Sequence, residues 1–278
     1  MLRSTCITRW RVFPQCAVIG VIASIALTPL AFAATDDAVA DAIADTVTPI
    51  ISPYDSRDYR VLTLENGLNV LLVSDPEADK AAASMNVRVG SAQDPDDLKG
   101  LAHFLEHMLF LGTEPYPESD AYQRYISNNA GSHNAFTAQQ DTNYFFDIEP
   151  SALPGALDRF SEFFLSPLFN ADHLESERNI VHSEYMARIR DESRRENDVL
   201  NQLLNPDNPT TGFAVGSRET LASPPEGEAT LRERVIDFYH QHYDANVMNL
   251  AIVAPQPLDQ LEEWVAERFA DIPDNDLS

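Results

Sequence analysis

The sequence predicts an α+β domain, in which an antiparallel-rich β-sheet carries helices packed on one face. Three observations lead to this fold class. Two strand-like runs flank an Asn66-Gly67 turn, two more follow near 133–138 and 142–148, and a strongly apolar helical segment lies between these pairs. Strands that are joined by short turns and mixed with helices along one chain are typical of α+β architectures.

The strand predictions depend on alternating side chains and on turn residues. Runs at 60–64 and 68–73 flank the Asn-Gly turn, which is the strongest short signal for a hairpin. Residues 82–89 alternate apolar and other side chains, and they predict a third strand. Further strands are expected near 133–138, 142–148 and 247–253.

The helix predictions depend on apolar residues spaced three and four apart. The first helix is expected from about 98 to 111, where an apolar stripe ends at Gly112. Ser151 is expected to cap a later helix, and residues 172–195 to form one long helix. The other helical segments are predicted at 119–128, 196–204, 217–221, 227–242 and 258–269.

The first 33 residues predict a secretory signal peptide. Three arginines precede a mainly apolar run at 17–30, and Ala31-Phe32-Ala33 has the small residues of a cleavage site. The alternative is a retained membrane anchor, which the shortness of the apolar run disfavours. The chain is therefore expected to cross the inner membrane and to reside in the periplasm, with no stable anchor after cleavage.

The charge and the cysteines exclude several classes of function. The formal net charge is −25 at pH 7, so the chain is expected to repel nucleic acid and anionic membranes. The charge favours basic peptides as partners, although a strongly solvated surface explains it equally well. Both cysteines, Cys6 and Cys16, lie in the predicted signal peptide, which leaves the mature chain without disulfide or thiol chemistry.

The most specific chemical motif is His103-Phe104-Leu105-Glu106-His107. Residues at i+3 and i+4 of a helix lie on one face, so the two imidazoles and the glutamate are expected to lie together. Such a pair of imidazoles can hold a divalent metal while Glu106 reaches its bound water. The order of residues is the H-x-x-E-H pattern of inverzincins.

A catalytic zinc needs a third protein ligand and one open position. Glu184 is the candidate, because it lies two turns after Glu177 on one face of the predicted long helix. Ile180 and Val181 share that face, and acids beside buried residues are costly unless a partner pairs with them. A metal with imidazole ligands provides such a partner.

The motif, with Glu184 at this spacing, resembles the pitrilysin/insulysin family of zinc metallopeptidases. Glu177 lies where that family keeps a supporting acid, and residues 129–137 are similar to its substrate-pairing edge strand. The resemblance covers about residues 53–272, and the Leu-Gly-Thr segment that runs on to Tyr116-Pro117 favours the insulysin-like branch. It implies the metallohydrolase fold of pitrilysin and mitochondrial processing peptidase.

The resemblance also implies a reaction, the hydrolysis of short or unfolded peptides by a zinc endopeptidase. His103, His107 and Glu184 would bind one Zn²⁺ per chain. Glu106 would be the general base that takes a proton from the zinc-bound water, and Glu177 would fix the geometry around the metal. The residues expected to add an extended peptide to the sheet edge are Asn134, Ala135 and Phe136.

The expected domain organisation follows from the same resemblance. Residues 1–33 are the signal peptide, 34–54 a flexible leader, 55–272 the zinc-binding peptidase domain, and 273–278 the start of a linker. Insulysin-type enzymes contain four related domains. The chain is therefore expected to be part of a larger enzyme, to act with C-terminal domains that it lacks, and to hydrolyse peptides weakly alone.

Two other functions stay open. A non-catalytic peptide-binding or assembly module on the same fold is the main alternative, and the presence of every motif residue disfavours it. A zinc hydrolase for small molecules is the third reading. The spacing from His107 to Glu184 and the peptide-strand run at 129–137 argue against that reading.

Overall fold

The computed structural model describes residues 43–47, 49–205, 208–222 and 228–275, which belong to one unit within Ala34–Ser278. The predicted signal peptide lies outside these residues, as do 34–42 of the leader and 276–278 of the predicted linker. Within the described ranges, no helix has both the length and the apolar character that crossing a membrane requires.

The described strands form one seven-stranded sheet with the order β1-β2-β3-β7-β4-β6-β5. Neighbouring strands are antiparallel, except for the parallel pair β3 and β7. The predicted antiparallel-rich sheet is therefore confirmed. The strands are β1 (Ile43–Val47), β2 (Asp58–Leu64), β3 (Asn69–Ser74), β4 (Ala81–Val87), β5 (Ser132–Thr137), β6 (Thr142–Ile148) and β7 (Met248–Ala254).

The helices cover one face of this sheet. Every second residue of β4, β6 and β7 is buried, and most residues between them are partly exposed, so the hydrophobic core lies on one side. The predicted α+β class is confirmed. The helices are α1 (Leu101–Leu109), α2 (Ala121–Asn128), α3 (Leu153–Leu165), α4 (Leu174–Arg188), α5 (Glu192–Asn201), α6 (Leu231–His242) and α7 (Leu258–Phe269).

The hairpin between β2 and β3 forms at the predicted turn. Gly67 has a φ of 81°, a left-handed conformation that favours glycine over residues with a side chain. The side-chain oxygen of Asn66 accepts a hydrogen bond of 3.2 Å from the backbone N–H of Leu68. The Asn-Gly pair therefore sets the register in which β2 and β3 align.

Helix α1 begins where a buried carboxylate satisfies its first N–H groups. Asp94 accepts hydrogen bonds from the backbone N–H of Gly100 at 2.7 Å and of Ala102 at 2.8 Å. Gly100 has a φ of 95° and precedes the first turn. Phe104 and Leu105 are fully buried, and each such side chain stabilises the fold by about 1.5–3 kcal/mol. The helix is thus held rigidly against the core.

Part of the predicted flexible leader is a strand, which corrects the sequence-based expectation. Residues Ile43–Val47 form β1 and pair antiparallel with β2, from Ile43 opposite Leu64 to Val47 opposite Val61. An edge strand is held by backbone hydrogen bonds to its neighbour, so its own side-chain pattern is a weak signal. This explains why an Ala- and Asp-rich stretch did not predict a strand.

Three helix predictions also need correction. The long helix expected at 172–195 ends at Arg188, and a new helix begins after Asp191, whose carboxylate caps it by accepting from Arg194 N–H at 3.0 Å. Ser151 does not cap α3, since the N-cap is Ala152 and no side chain bonds there. Residues 217–221 form hydrogen-bonded turns and no helix.

Candidate metal centre and active site

Helix α1 presents the three ionisable groups of the motif together, as its periodicity predicts. The rings of His103 and His107 meet edge to face, with centroids 4.9 Å apart and planes at 86°. Glu106 lies beside them and is only 7% exposed. Since the apolar residues of α1 hold the helix in the core, these polar groups have little freedom to move.

Helix α4 brings the third group to the two imidazoles. One carboxylate oxygen of Glu184 lies 3.5 Å from Nε2 of His103, and the other lies 3.8 Å from Nε2 of His107. One ligand atom from each of these residues lies within 4.8 Å of the others. Ligands on one tetrahedral zinc lie roughly 3.3 Å apart, given bonds of about 2.0–2.1 Å, and the two contacts of Glu184 are close to this spacing.

The outer nitrogens of both histidines are occupied by protein groups. Nδ1 of His103 lies 2.7 Å from the backbone carbonyl oxygen of Val215, which can only accept a hydrogen bond. Nδ1 of His107 lies 3.2 Å from a carboxylate oxygen of Glu177. Both Nδ1 atoms therefore carry the proton, and both Nε2 lone pairs point to the side where Glu184 lies. These residues fit a zinc ion.

The carboxylates around His107 change its protonation. Burial lowers the pKa of His107, but the hydrogen bond to Glu177 and the charges of Glu106 and Glu184 raise it more, so the net pKa is raised. A metal ion at Nε2 competes with this proton. The acidic surroundings therefore favour a cation at this position, whether it is a proton or a metal ion.

Glu106 is held from the sheet side of the helix. Thr137 Oγ1, at the end of β5, donates a hydrogen bond of 2.6 Å to Glu106 Oε2. Burial raises the pKa of Glu106, and this effect exceeds that of the Thr137 bond and the two histidines, which lower the pKa. A raised pKa suits a group that must take and return a proton near neutral pH.

The predicted substrate strand lies at the edge of the sheet. β5 pairs with β6 alone among the described strands, so its other side is free to receive an extended peptide. Asn134 and Phe136 point to the exposed face, and Phe136 is 52% exposed, whereas Ala135 faces inward and is partly buried. They precede Thr137, whose hydroxyl bonds Glu106, and none of them belongs to the group of His103, His107 and Glu184.

Two family models match the chain. The family described as "Insulinase (Peptidase family M16)" matches residues 69–208, and the one described as "Peptidase M16 inactive domain" matches residues 230–278. The chain belongs to the insulinase family of peptidases. The first matched range contains both histidines of the motif, Glu106 and Glu184.

Relatives in the insulinase family are similar over most of the chain. Insulin-degrading enzyme-like 2 of Arabidopsis thaliana is 45% identical over 219 residues, which are 78% of this chain and 23% of the relative. The Schizosaccharomyces pombe protein named "Putative zinc protease mug138" is 42% identical over 224 residues, which are 80% of this chain and 23% of the relative. The chain therefore spans less than a quarter of the length of these two relatives.

A solved insulinase-family structure has the same fold. The crystal structure of pitrilysin matches with a TM-score of 0.80 and 38% sequence identity, over 84% of this chain and 25% of the other. The resemblance to the pitrilysin/insulysin family and its fold is thus confirmed. The expected zinc cofactor is also confirmed, by the family, by the relative named a zinc protease and by the His-His-Glu group.

Several residues of the site were not predicted from the sequence. The carbonyl of Val215 orients His103 from a loop far along the chain, and a backbone group carries no sequence signal. Thr137 was inside the predicted strand run, but its bond to Glu106 depends on how β5 lies against α1. His133 lies in β5, and its ring contacts the rings of Phe110 and Tyr122.

Proposed function

We propose that the chain is the zinc-binding domain of an endopeptidase that hydrolyses short or unfolded peptides. The observation that carries this proposal is the orientation of the two imidazoles. Protein acceptors engage both Nδ1 atoms, so that both Nε2 atoms face the carboxylate of Glu184. A histidine pair that only stabilised the fold would not need this arrangement beside a partly exposed acid.

His103 Nε2, His107 Nε2 and a carboxylate oxygen of Glu184 would hold the zinc ion. When bound, zinc supplies Lewis-acid chemistry, because it lowers the pKa of a water molecule and polarises a peptide carbonyl. Glu177 keeps His107 in the required tautomer through the bond to Nδ1. The side chain of Glu184 is 37% exposed, which leaves the centre accessible from solvent.

Glu106 would move the proton. Thr137 occupies Oε2, so we assign proton transfer to Oε1, which accepts a proton from the attacking water and delivers it to the leaving amide nitrogen. Glu106 is only 7% exposed, which limits the exchange of this proton with bulk water. Glu106 is adjacent to His107 in the chain but is not among the three grouped ligands, which supports a role as base.

The peptide would bind along β5 as an added strand. Main-chain hydrogen bonds to residues 134–136 would hold it in an extended conformation, and this mode of binding tolerates many sequences. Only an unfolded or short segment can present its backbone in this way. We therefore propose that folded proteins are poor substrates.

The test uses the purified chain, a quenched peptide and a zinc chelator. We expect one zinc per chain and hydrolysis that stops on chelation and returns when zinc is added. Glu106→Gln should retain zinc and lose at least about 100-fold in turnover, the scale of removing a general base. Zinc binding and peptide binding without hydrolysis, even at high protein concentration, would instead support the non-catalytic peptide-binding module.

Turnover by this chain is proposed to be weak. The matched relatives are more than four times as long as the aligned part, and their remaining length is proposed to contribute to substrate binding. Addition of the remaining domains of the same enzyme should then raise kcat/KM. A chain that is as active alone as with those domains would contradict this proposal.

Export to the periplasm is likewise a proposal, supported by the sequence of residues 1–33. The mature protein would begin at Ala34. N-terminal sequencing of protein recovered from the periplasmic fraction tests this directly. An intact Met1 in membrane-bound material would favour the retained anchor.

A further inference from the structure

Thr137 connects the edge strand to the catalytic base. Its Oγ1 donates a hydrogen bond of 2.6 Å to Oε2 of Glu106. Glu106 is almost fully buried, so water cannot substitute freely for a lost protein donor. The orientation of the carboxylate therefore depends on this threonine.

The hydroxyl of Thr137 is itself held in place by the sheet. Thr137 pairs with Thr142 across β5 and β6, and Thr142 is fully buried. Thr142 Oγ1 donates to the carbonyl oxygen of Val89 at 2.8 Å and lies 3.4 Å from Thr137 Oγ1. A β-branched side chain in a strand has few rotamers, so the donor is preorganised.

We propose that Thr137 is a positioning residue that couples the substrate-binding edge of β5 to the carboxylate of Glu106. This inference depends on the proposed function, since it assumes that a peptide is added to β5. One short strand then fixes both the peptide, through residues 134–136, and the base, through the residue that follows them. The distance between the base and the bond to be cleaved is set by a single rigid element.

The physical reason for such coupling is the steep dependence of proton transfer on geometry. A displacement of about 1 Å at a reacting group can cost about 100-fold in rate. A carboxylate without Thr137 keeps its charge but can rotate about its terminal bond. Loss of the bond should therefore lower kcat while zinc binding and peptide binding remain.

The experiment compares two substitutions at Thr137 with a control elsewhere. Thr137→Val removes the donor with little change in shape, and Thr137→Ser keeps the hydroxyl. Thr63→Val is the control, because Thr63 lies in β2 and bonds the side chain of Asn69 at 3.1 Å, away from the site. Zinc content, KM and kcat are measured for each variant with the same quenched peptide.

We expect Thr137→Val to lower kcat at least about 10-fold, with KM and zinc affinity within about two-fold of the unaltered chain. Thr137→Ser should restore kcat to within about three-fold, and Thr63→Val should leave it unchanged. An unchanged kcat in Thr137→Val overturns the proposal. So does a Ser variant that is as impaired as the Val variant, or a Val variant that loses zinc, since a structural role alone would explain both.

A second measurement does not need turnover. A double-mutant cycle of Thr137→Val and Glu106→Ala is measured by denaturant unfolding of the metal-free chain. The typical strength of a hydrogen bond to a charged group predicts a coupling of at least about 10-fold in the unfolding equilibrium constant. If the effects of the two substitutions on stability are additive, the proposal is overturned. If the two residues are coupled but Glu106→Gln does not impair hydrolysis, the chain is still a peptidase, but Glu106 is not its base and Thr137 loses its proposed role. If the unaltered chain does not hydrolyse peptides at all, the proposed function itself fails.

Discussion

Gly100 and Gly216 lie in backbone contact at the start of α1. A Cβ atom at Gly100 would lie 2.2 Å from the Cα atom of Gly216, which no real side chain tolerates. Both glycines have a positive φ, 95° and 86°. The contact places the loop that contains Val215 directly over the helix, and its carbonyl then reaches Nδ1 of His103.

Substitution of Gly216 should therefore disturb the metal centre from a distance. In Gly216→Ala the new Cβ would lie 2.9 Å from Leu221 and 3.1 Å from Val181, in a backbone conformation that costs an L-residue about 1–2 kcal/mol. We expect lower stability and a zinc affinity reduced about 10-fold, because the carbonyl of Val215 shifts away from His103. Competition titration with a chromogenic chelator measures the affinity.

Gly212→Ala is the matched control in the same loop. Its Cβ would meet no atom closer than 3.5 Å, so stability should stay within about 0.5 kcal/mol and zinc affinity should not change. Equal losses of zinc affinity in the two variants would mean that the Gly100–Gly216 contact has no special part in orienting His103.

Glu184→Gln should remove most zinc binding. An amide is a poor substitute for an anionic ligand. Substitution of residues that hydrogen-bond to metal ligands typically lowers metal affinity 10–100-fold, and loss of a ligand itself should lower zinc affinity more than about 100-fold. Glu175→Gln on the same helix is the control, since Glu175 pairs with Arg178 at the surface. Isothermal titration with zinc compares the two, and similar affinities would show that Glu184 is not a ligand.

Substitutions of Glu177 should give graded effects. Gln at this position lacks the charge but can still accept the hydrogen bond from His107 Nδ1, whereas Ala has neither a charge nor an acceptor. We expect Glu177→Ala to lower zinc affinity about 10–100-fold and Glu177→Gln to lower it less. In the metal-free chain the pKa of His107 should fall in both variants, because the bond to Glu177 raises it. NMR titration of the ring measures this fall, and a rise would contradict it.

The raised pKa of Asp94 predicts that stability depends on pH even in the metal-free chain. Burial raises the pKa of Asp94 to about 6 from 3.8, against the bonds from Ala102 and Gly100 and the charge of Lys99, which lower it. The folded chain thus binds this proton more tightly than the unfolded chain. The stability that the group contributes is fully present below about pH 4 and is lost as the pH rises through about 6.

Asp94→Asn should remove this slope while its amide oxygen still accepts from the first turn of α1. Between about pH 4 and 7, the free energy of unfolding of the unaltered chain should fall by about 2–3 kcal/mol more than that of the variant. Urea denaturation of the metal-free proteins measures the difference. If the unaltered chain instead became more stable relative to the variant as the pH rises, the backbone hydrogen bonds would have a larger effect on the pKa of Asp94 than burial has.

Local patterns in the sequence predict the elements that carry the chemistry. The apolar stripe of α1 and its stop near Gly112 place His103, Glu106 and His107 on one face, since helical periodicity alone determines which residues are neighbours. The Asn66-Gly67 turn likewise determines the β2–β3 register through local conformation. These predictions are confirmed because they depend on residues within a few positions of each other.

Other elements depend on distant partners and were not predicted. β1 exists because β2 offers an unpaired edge, although Ile43–Val47 lies in an Ala- and Asp-rich stretch. The predicted long helix is divided at 189–191, where the side chain of Asp191 satisfies the N-terminus of α5 instead of continuing α4. At both places two local structures are possible, and the available hydrogen-bonding partners determine which one forms.

The order of residues along the chain predicts which side chains can bind a metal and which helix faces present them. The packing of the fold brings the carboxylate of Glu184 near both Nε2 atoms, Val215 and Glu177 to the Nδ1 atoms, and Thr137 to Glu106. The reason is physical. Helix periodicity is a property of consecutive residues, whereas the meeting of α1, α4, β5 and the 212–222 loop depends on how the whole core packs.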